Sequence, residues 1–197
     1  MKKQIFIIGG GDVFETHEEY IDFLKTFEVS LEDFSYKGWK KNLGAALPEY
    51  DIFPLQMPCS FNAKYTEWKI WFEKFVPFMH DEVVLVGISL GGIFLTKFLS
   101  ENTFPKKVRS LHLIAAPFND ESQESLGDFR LQADVSVVST TAEKIFLYHS
   151  SDDPVVPITE VDKYADALPQ AIVRRFVDRG HFHVQEFPEL EEDIRNS

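Results

Sequence analysis

The stretch Val83-Val84-Leu85-Val86-Gly87-Ile88-Ser89-Leu90-Gly91-Gly92-Ile93-Phe94-Leu95 constrains this chain more than any other. It opens as an unbroken apolar run, the pattern of a strand buried on both faces. It closes as an apolar helical pattern, carried by Ile93, Phe94, Leu95, Phe98 and Leu99. Between the two stands Gly-x-Ser-x-Gly. A strand that turns straight into a helix crowds its own backbone, so small residues are needed on both sides of the serine. Gly87 and Gly91 supply them. Such a turn would hold Ser89 Oγ clear of the sheet, at the N-terminus of the helix. That is a nucleophile elbow, and the strand-turn-helix context separates it from a chance pentapeptide.

The same alternation runs along most of the chain. Short apolar runs at Gln4–Ile8, Asp51–Leu55, Ser110–Pro117, Lys144–His149 and Ala171–Val177 join the elbow strand, giving six. Pro54 places the second of these at an edge or at its own end. Thr16 and Glu19 form a capping box that opens a helix carrying Tyr20, Phe23, Leu24 and Phe27 on one face. Within the polar region Ser30–Leu47, Trp39, Leu43 and Leu47 fall at helical spacing. Trp68, Trp71, Phe72 and Phe75 do the same, with Asn62 as a candidate cap, and read as packing against the sheet. Further helices are expected from Ile158 or Thr159 to Leu168 and from Pro188 to Asn196. Phe118–Thr141 is acidic and serine-rich, with a turn of helix near Phe129–Leu131, and reads as a short excursion. Alternating strands and helices imply a mainly parallel sheet covered on both faces. The fold class is therefore α/β, a three-layer sandwich, and the 197 residues suit one domain spanning 1–197.

Ligands of such sheets bind outside the carboxyl ends of the strands. Three reactive side chains fall there: Ser89, an aspartate at 152 or 153, and a histidine at 181 or 183. Their order, Ser then Asp then His, is that of α/β-hydrolases. Gly180 permits a tight bend after the last strand and would deliver His181 back toward Ser89. His112 lies inside a strand run instead, so it reads as a hydrogen-bonded structural histidine. Gly9-Gly10-Gly11-Asp12 follows the first strand, where three glycines mark a sharp bend or a close approach.

These motifs together resemble the small serine hydrolases of the retinoblastoma-binding-protein-9-like group, within the α/β-hydrolase superfamily. The resemblance covers nearly the whole chain and is carried by Gly9–Val13, Gly87–Gly91, Ser150–Pro154 with Pro157, and Gly180–Phe182. It implies Ser89 as nucleophile, Asp153 as acid and His181 as base. The first glycine loop is shorter here than in that group.

The implied chemistry is acyl transfer to water. A serine hydroxyl needs an adjacent base at neutral pH. His181 would take the proton of Ser89 and return it to the leaving group, while Asp153 would fix the imidazole tautomer. The Leu90 N–H and a second N–H at Gly10 or Gly11 would form the oxyanion hole. Asp152 reads as a turn or solvated carboxylate and His183 as a pocket wall or surface residue. The expected activity is that of a carboxylesterase-type hydrolase of small soluble esters or amides, with a minimal lid, no cofactor and no metal. The competing class is a binding protein that keeps the fold without turnover. Intact Ser, Asp and His argue against it.

Charge and composition narrow the partners. The net charge of −12 argues against nucleic acid and anionic membrane surfaces. No apolar run approaches the roughly 18 residues of a membrane span, and the N-terminal apolar segment is too short for a signal peptide. One cysteine, Cys59, cannot form an internal disulfide and fits a reducing cytoplasm. The expected ligand is a small molecule. A protein partner is left open.

Overall fold

A computed structural model describes residues 2–29, 38–119, 125–131 and 134–197. Parts of the Ser30–Leu47 region and of the Phe118–Thr141 excursion therefore lie outside the described residues. The described strands are β1 (Lys3–Ile8), β2 (Tyr50–Leu55), β3 (Val83–Ile88), β4 (Val108–Ile114), β5 (Ala142–Ser150) and β6 (Ile172–Phe176). They form one sheet in the order β2-β1-β3-β4-β5-β6, and every pairing is parallel.

The period of two along each strand builds two cores. Phe6, Ile8, Leu85, Leu111, Leu113 and Leu147 face one side of the sheet. Ile5, Ile7, Val84, Val86, Phe146 and Tyr148 face the other. The first side is covered by α3 (Tyr65–Glu73), α4 (Leu90–Glu101) and α6 (Thr159–Ala167), with Trp68, Phe72, Phe94 and Tyr164 buried there. The short α5 (Val138–Thr141) adds Val138 to the same core. The second side is covered by α2 (Trp39–Ala46) and α7 (Pro188–Arg195), through Trp39, Leu43, Leu190 and Ile194. Burying such aromatic and aliphatic side chains contributes about 1.5–3 kcal/mol each. The aromatic stripe of α3 is core packing at Trp68 and Phe72, while Trp71 stays partly exposed.

Pro54 sits within β2, an edge strand with only Tyr50 buried, so its missing N–H interrupts no inner ladder. Two readings change. Asn62 does not cap α3; it closes the turn Ser60–Asn62, and Lys64 holds the cap position without a side-chain cap. The donor at Tyr65 is met by the Asp128 carboxylate, 3.1 Å away and 63 residues on, a partner that local spacing cannot reveal. α1 (His17–Thr26) has its capping box at Thr16 and Glu19, yet buries no residue in either core. Its aromatic face stacks instead on Phe14 and on Phe61 beside the sheet edge.

Strand order reverses direction between β1 and β3: the chain steps outward from β1 to β2, then returns to β3 on the other side. Such a switch point leaves a crevice at the carboxyl ends of its two strands.

Candidate active site

β3 ends at Ile88 and α4 begins at Leu90, leaving Ser89 alone to make the turn. Its φ of 51° and ψ of −122° lie in a region that non-glycine residues avoid, a strain of about 1–3 kcal/mol that the surroundings must hold. The holding is visible. Ser89 N–H donates to the Ile114 carbonyl at 2.9 Å, and the Ser89 carbonyl accepts from Gly92 N–H at 2.8 Å. A Cβ at Gly87 would stand 2.6 Å from the Gly91 carbonyl oxygen, and one at Gly91 would press into the Ile8 and Gly9 carbonyls. Both glycines are therefore required by close approach, β1 against the elbow on one side and α4 against β3 on the other.

The glycine loop after β1 meets the elbow. A Cβ on Gly10 would lie 3.3 Å from Ser89 Cβ and 3.7 Å from its Oγ. Asp12 ties this loop to the turn at Ser60–Asn62, its N–H donating to the Ser60 carbonyl and its carbonyl accepting from Ala63 N–H, both at 2.8 Å. Leu90 is the first residue of α4, so its N–H is one of the helix-start donors that have no partner within the helix.

The loops after β5 and β6 bring the acid and the base together. His181 Nδ1 lies 2.8 and 3.0 Å from the two carboxylate oxygens of Asp153. The Asp153 side chain is fully buried. Burial opposes its charge, but the His181 hydrogen bond and the N–H groups of Val156 and Val155 outweigh it and hold the carboxyl below the usual carboxylate range. A carboxylate so held is an acceptor, so His181 Nδ1 carries the proton and Nε2 is left as the acceptor. Beneath it the buried His149 donates from Nε2 to the Val156 carbonyl at 2.9 Å, and desolvation pushes that histidine down, toward neutrality.

Asp152 does something else. Its carboxylate accepts from Gly180 N–H at 2.9 Å and from the Ser150 hydroxyl. Ser150 Oγ accepts in turn from Arg179 N–H at 3.1 Å. The pair thus pins the turn that presents His181. Gly180 has a φ of 49°, and Phe182 drops into the second core against Phe176 and Phe187. His183 stands at the rim, its ring 5.9 Å from that of His181.

Ser89, His181, Gly10 and Gly11 line one cleft of about 560 Å³ at the switch point. Its walls include Asp12, Phe27, Lys40 and Phe61, to which the sequence assigned no role at the site. Phe27 and Phe61 meet edge to face at 5.9 Å and are about half exposed, so they give the cleft an apolar side. The aromatic face of α1 was the available signal for Phe27. For Lys40, on α2, and Phe61, in the Ser60–Asn62 turn, no motif marks the residue as part of a site. Among the described residues, no group of three or more His, Cys, Asp or Glu is placed to hold a metal ion. No helix among them is long and apolar enough to cross a membrane.

Residues 32–193 match the sequence profile of the serine hydrolase family. The chain belongs to that family. The chain is 27% identical over 191 residues to serine hydrolase RBBP9 of Rattus norvegicus, covering 92% of this chain and 87% of the relative. Its backbone is similar to the ydeN gene product of B. subtilis, with a TM-score of 0.77 at 19% identity, over 98% of this chain and 97% of that one. It is also similar to the esterase domain of a Rhodothermus marinus protein, with a TM-score of 0.58 at 15% identity, over 91% and 77% of the two chains. The α/β-hydrolase fold, read from the alternation of strands and helices, is the fold of this chain.

Proposed function

We propose that this serine hydrolase cleaves a small ester, or an amide, through an acyl-enzyme formed on Ser89. The observation that carries the reading is the pairing of His181 Nδ1 with a buried Asp153 carboxylate at 2.8 Å, in the cleft that Ser89 also lines. His181, with Nε2 free to accept, takes the Ser89 proton as the hydroxyl attacks the acyl carbon, and then gives it to the departing alcohol or amine. Asp153 stabilises the imidazolium between these two events. The N–H groups of Leu90 and Gly10 receive the oxyanion. Water then repeats the sequence on the acyl-enzyme.

The esterase character of one structural relative agrees with a carboxylesterase-type activity. A small-molecule substrate fits the size of the cleft. The single cysteine fits a cytoplasmic setting.

The test is acylation by an activated ester such as 4-nitrophenyl acetate. Stoichiometric nitrophenol release should be abolished in His181→Ala and keep a clear fraction of its rate in His183→Ala. An equal loss in both, or a greater one in His183→Ala, would move the base to His183.

A further inference from the structure

The cleft contains a cation that hydrolysis itself does not use. Lys40 lies in its wall together with His181 and His183. The segment that carries Lys40 is fastened to the histidine loop at two points. Trp39 N–H donates to the Val184 carbonyl at 3.1 Å, and the Trp39 indole N–H donates to the Phe182 carbonyl at 3.2 Å. Trp39 itself is buried. The backbone at Lys40 is therefore held beside the loop that bears the proposed base.

Its ammonium lies 5.8 Å from the centre of the Trp39 ring and forms no ion pair or hydrogen bond among the described residues. Lysines elsewhere do pair: Lys69 with Glu73, Lys97 with Glu101. The half-buried Lys40 is desolvated enough that burial pushes it below the ordinary lysine value. Apart from that cation–π contact the charge has no partner among the described residues, and its desolvation is a standing cost that an incoming anion would reduce. The carboxylate in the same cleft, Asp12, belongs to the glycine loop. Burial pushes that carboxyl up, and it makes no salt bridge to Lys40.

Resting on the serine-hydrolase reading above, we infer that the preferred substrate carries a carboxylate on its leaving group, paired with Lys40. The side of the cleft follows from the chemistry. His181 must deliver its proton to the leaving group, and Lys40 is tied to the loop that bears His181. The net charge of −12 does not oppose this pairing. Surface charges are screened beyond about 8 Å at physiological ionic strength, so the remote carboxylates weigh little against an ammonium in the cleft itself.

Two acetate esters test the inference: phenyl acetate and 4-carboxyphenyl acetate, with the same acyl group and leaving groups that differ in charge. The readout is the ratio of kcat/KM for the charged ester to that for the neutral one, in the wild type, Lys40→Met and Lys40→Arg. Losing a charge-assisted contact should lower this ratio about 10- to 100-fold in Lys40→Met, mainly through KM. Lys40→Arg should restore most of it, which a purely structural lysine would not require. A ratio unchanged within about twofold in Lys40→Met would overturn the inference, as would a wild type that disfavours the carboxylate ester once the leaving-group pKa is allowed for. Phenyl acetate turnover that vanishes in Ser89→Ala reports on the hydrolase reading separately. No turnover of either ester by the wild type would remove both.

Discussion

Asp152 and Asp153 are neighbours in sequence with different partners. Asp153 accepts from His181 and from two backbone N–H groups, whereas Asp152 accepts from Gly180 N–H and the Ser150 hydroxyl. One orients the imidazole and the other steadies the turn beneath it. Asp153→Asn should lower turnover by about 10³- to 10⁴-fold, because an amide favours the wrong imidazole tautomer. Asp152→Asn should cost far less, since an amide oxygen can still accept from Gly180. Steady-state kinetics on one ester checks the ranking, and a reversed order would move the acid to Asp152. The spacing left this choice open. Consecutive residues in a loop have no periodicity to separate them, and the decision lies in which carboxylate meets the Val155 and Val156 N–H groups. Lys40 was illegible for a related reason: its position comes from Trp39 bonding to residues more than 140 positions away.

At the scale of elements, the elbow was the most legible part of the chain, because its whole signature lies in one continuous stretch. Gly87 and Gly91 answer to contacts within the strand-turn-helix unit and with β1 directly beneath it. His112 was likewise readable as structural from its place inside a strand run. It is fully buried in β4, with Nδ1 2.9 Å from Tyr148 Oη and Nε2 2.9 Å from Ser110 Oγ. Tyr148 donates to Asp193 of α7, which Arg174 of β6 also holds. Since the tyrosine proton goes to Asp193, His112 donates from Nδ1 and accepts the Ser110 hydroxyl at Nε2, a neutral tautomer. The chain of bonds thus fastens β4, β5, β6 and α7 together on the second face. Burial, only partly offset by the Asp193 charge, pushes His112 down to about 3. Below about pH 6.5 the unfolded chain binds a proton that the fold refuses, so stability falls as the pH falls from there toward 3. This one group contributes a slope of about 1.4 kcal/mol per pH unit. Denaturant unfolding at several pH values should show that slope reduced by one proton's worth in His112→Asn. An unchanged slope would mean that His112 is protonated in the fold. α1 was the least legible element. Its capping box announced a helix, but the spacing of its aromatic face did not say what that face meets: it packs on Phe14 and Phe61, and Phe27 reaches the cleft wall.

Across the whole molecule, six strand signals became six parallel strands, and the helices divided between two faces. Buried parallel strands leave continuous apolar runs separated by helical stretches, so the alternation survives in the sequence. Strand order is not written there, and the switch point between β1 and β3 emerges only in three dimensions. That reversal is what brings the Gly10 loop against Ser89 and leaves room for the cleft. The proposed hydrolysis requires Ser89 to be the reactive group of this cleft. Reaction of the folded protein with a fluorophosphonate, followed by intact-mass measurement and peptide mapping, tests that directly. A single adduct on Ser89, absent in Ser89→Ala, is the expected result. A folded wild type that takes up no label, or an adduct that persists in Ser89→Ala, would contradict it.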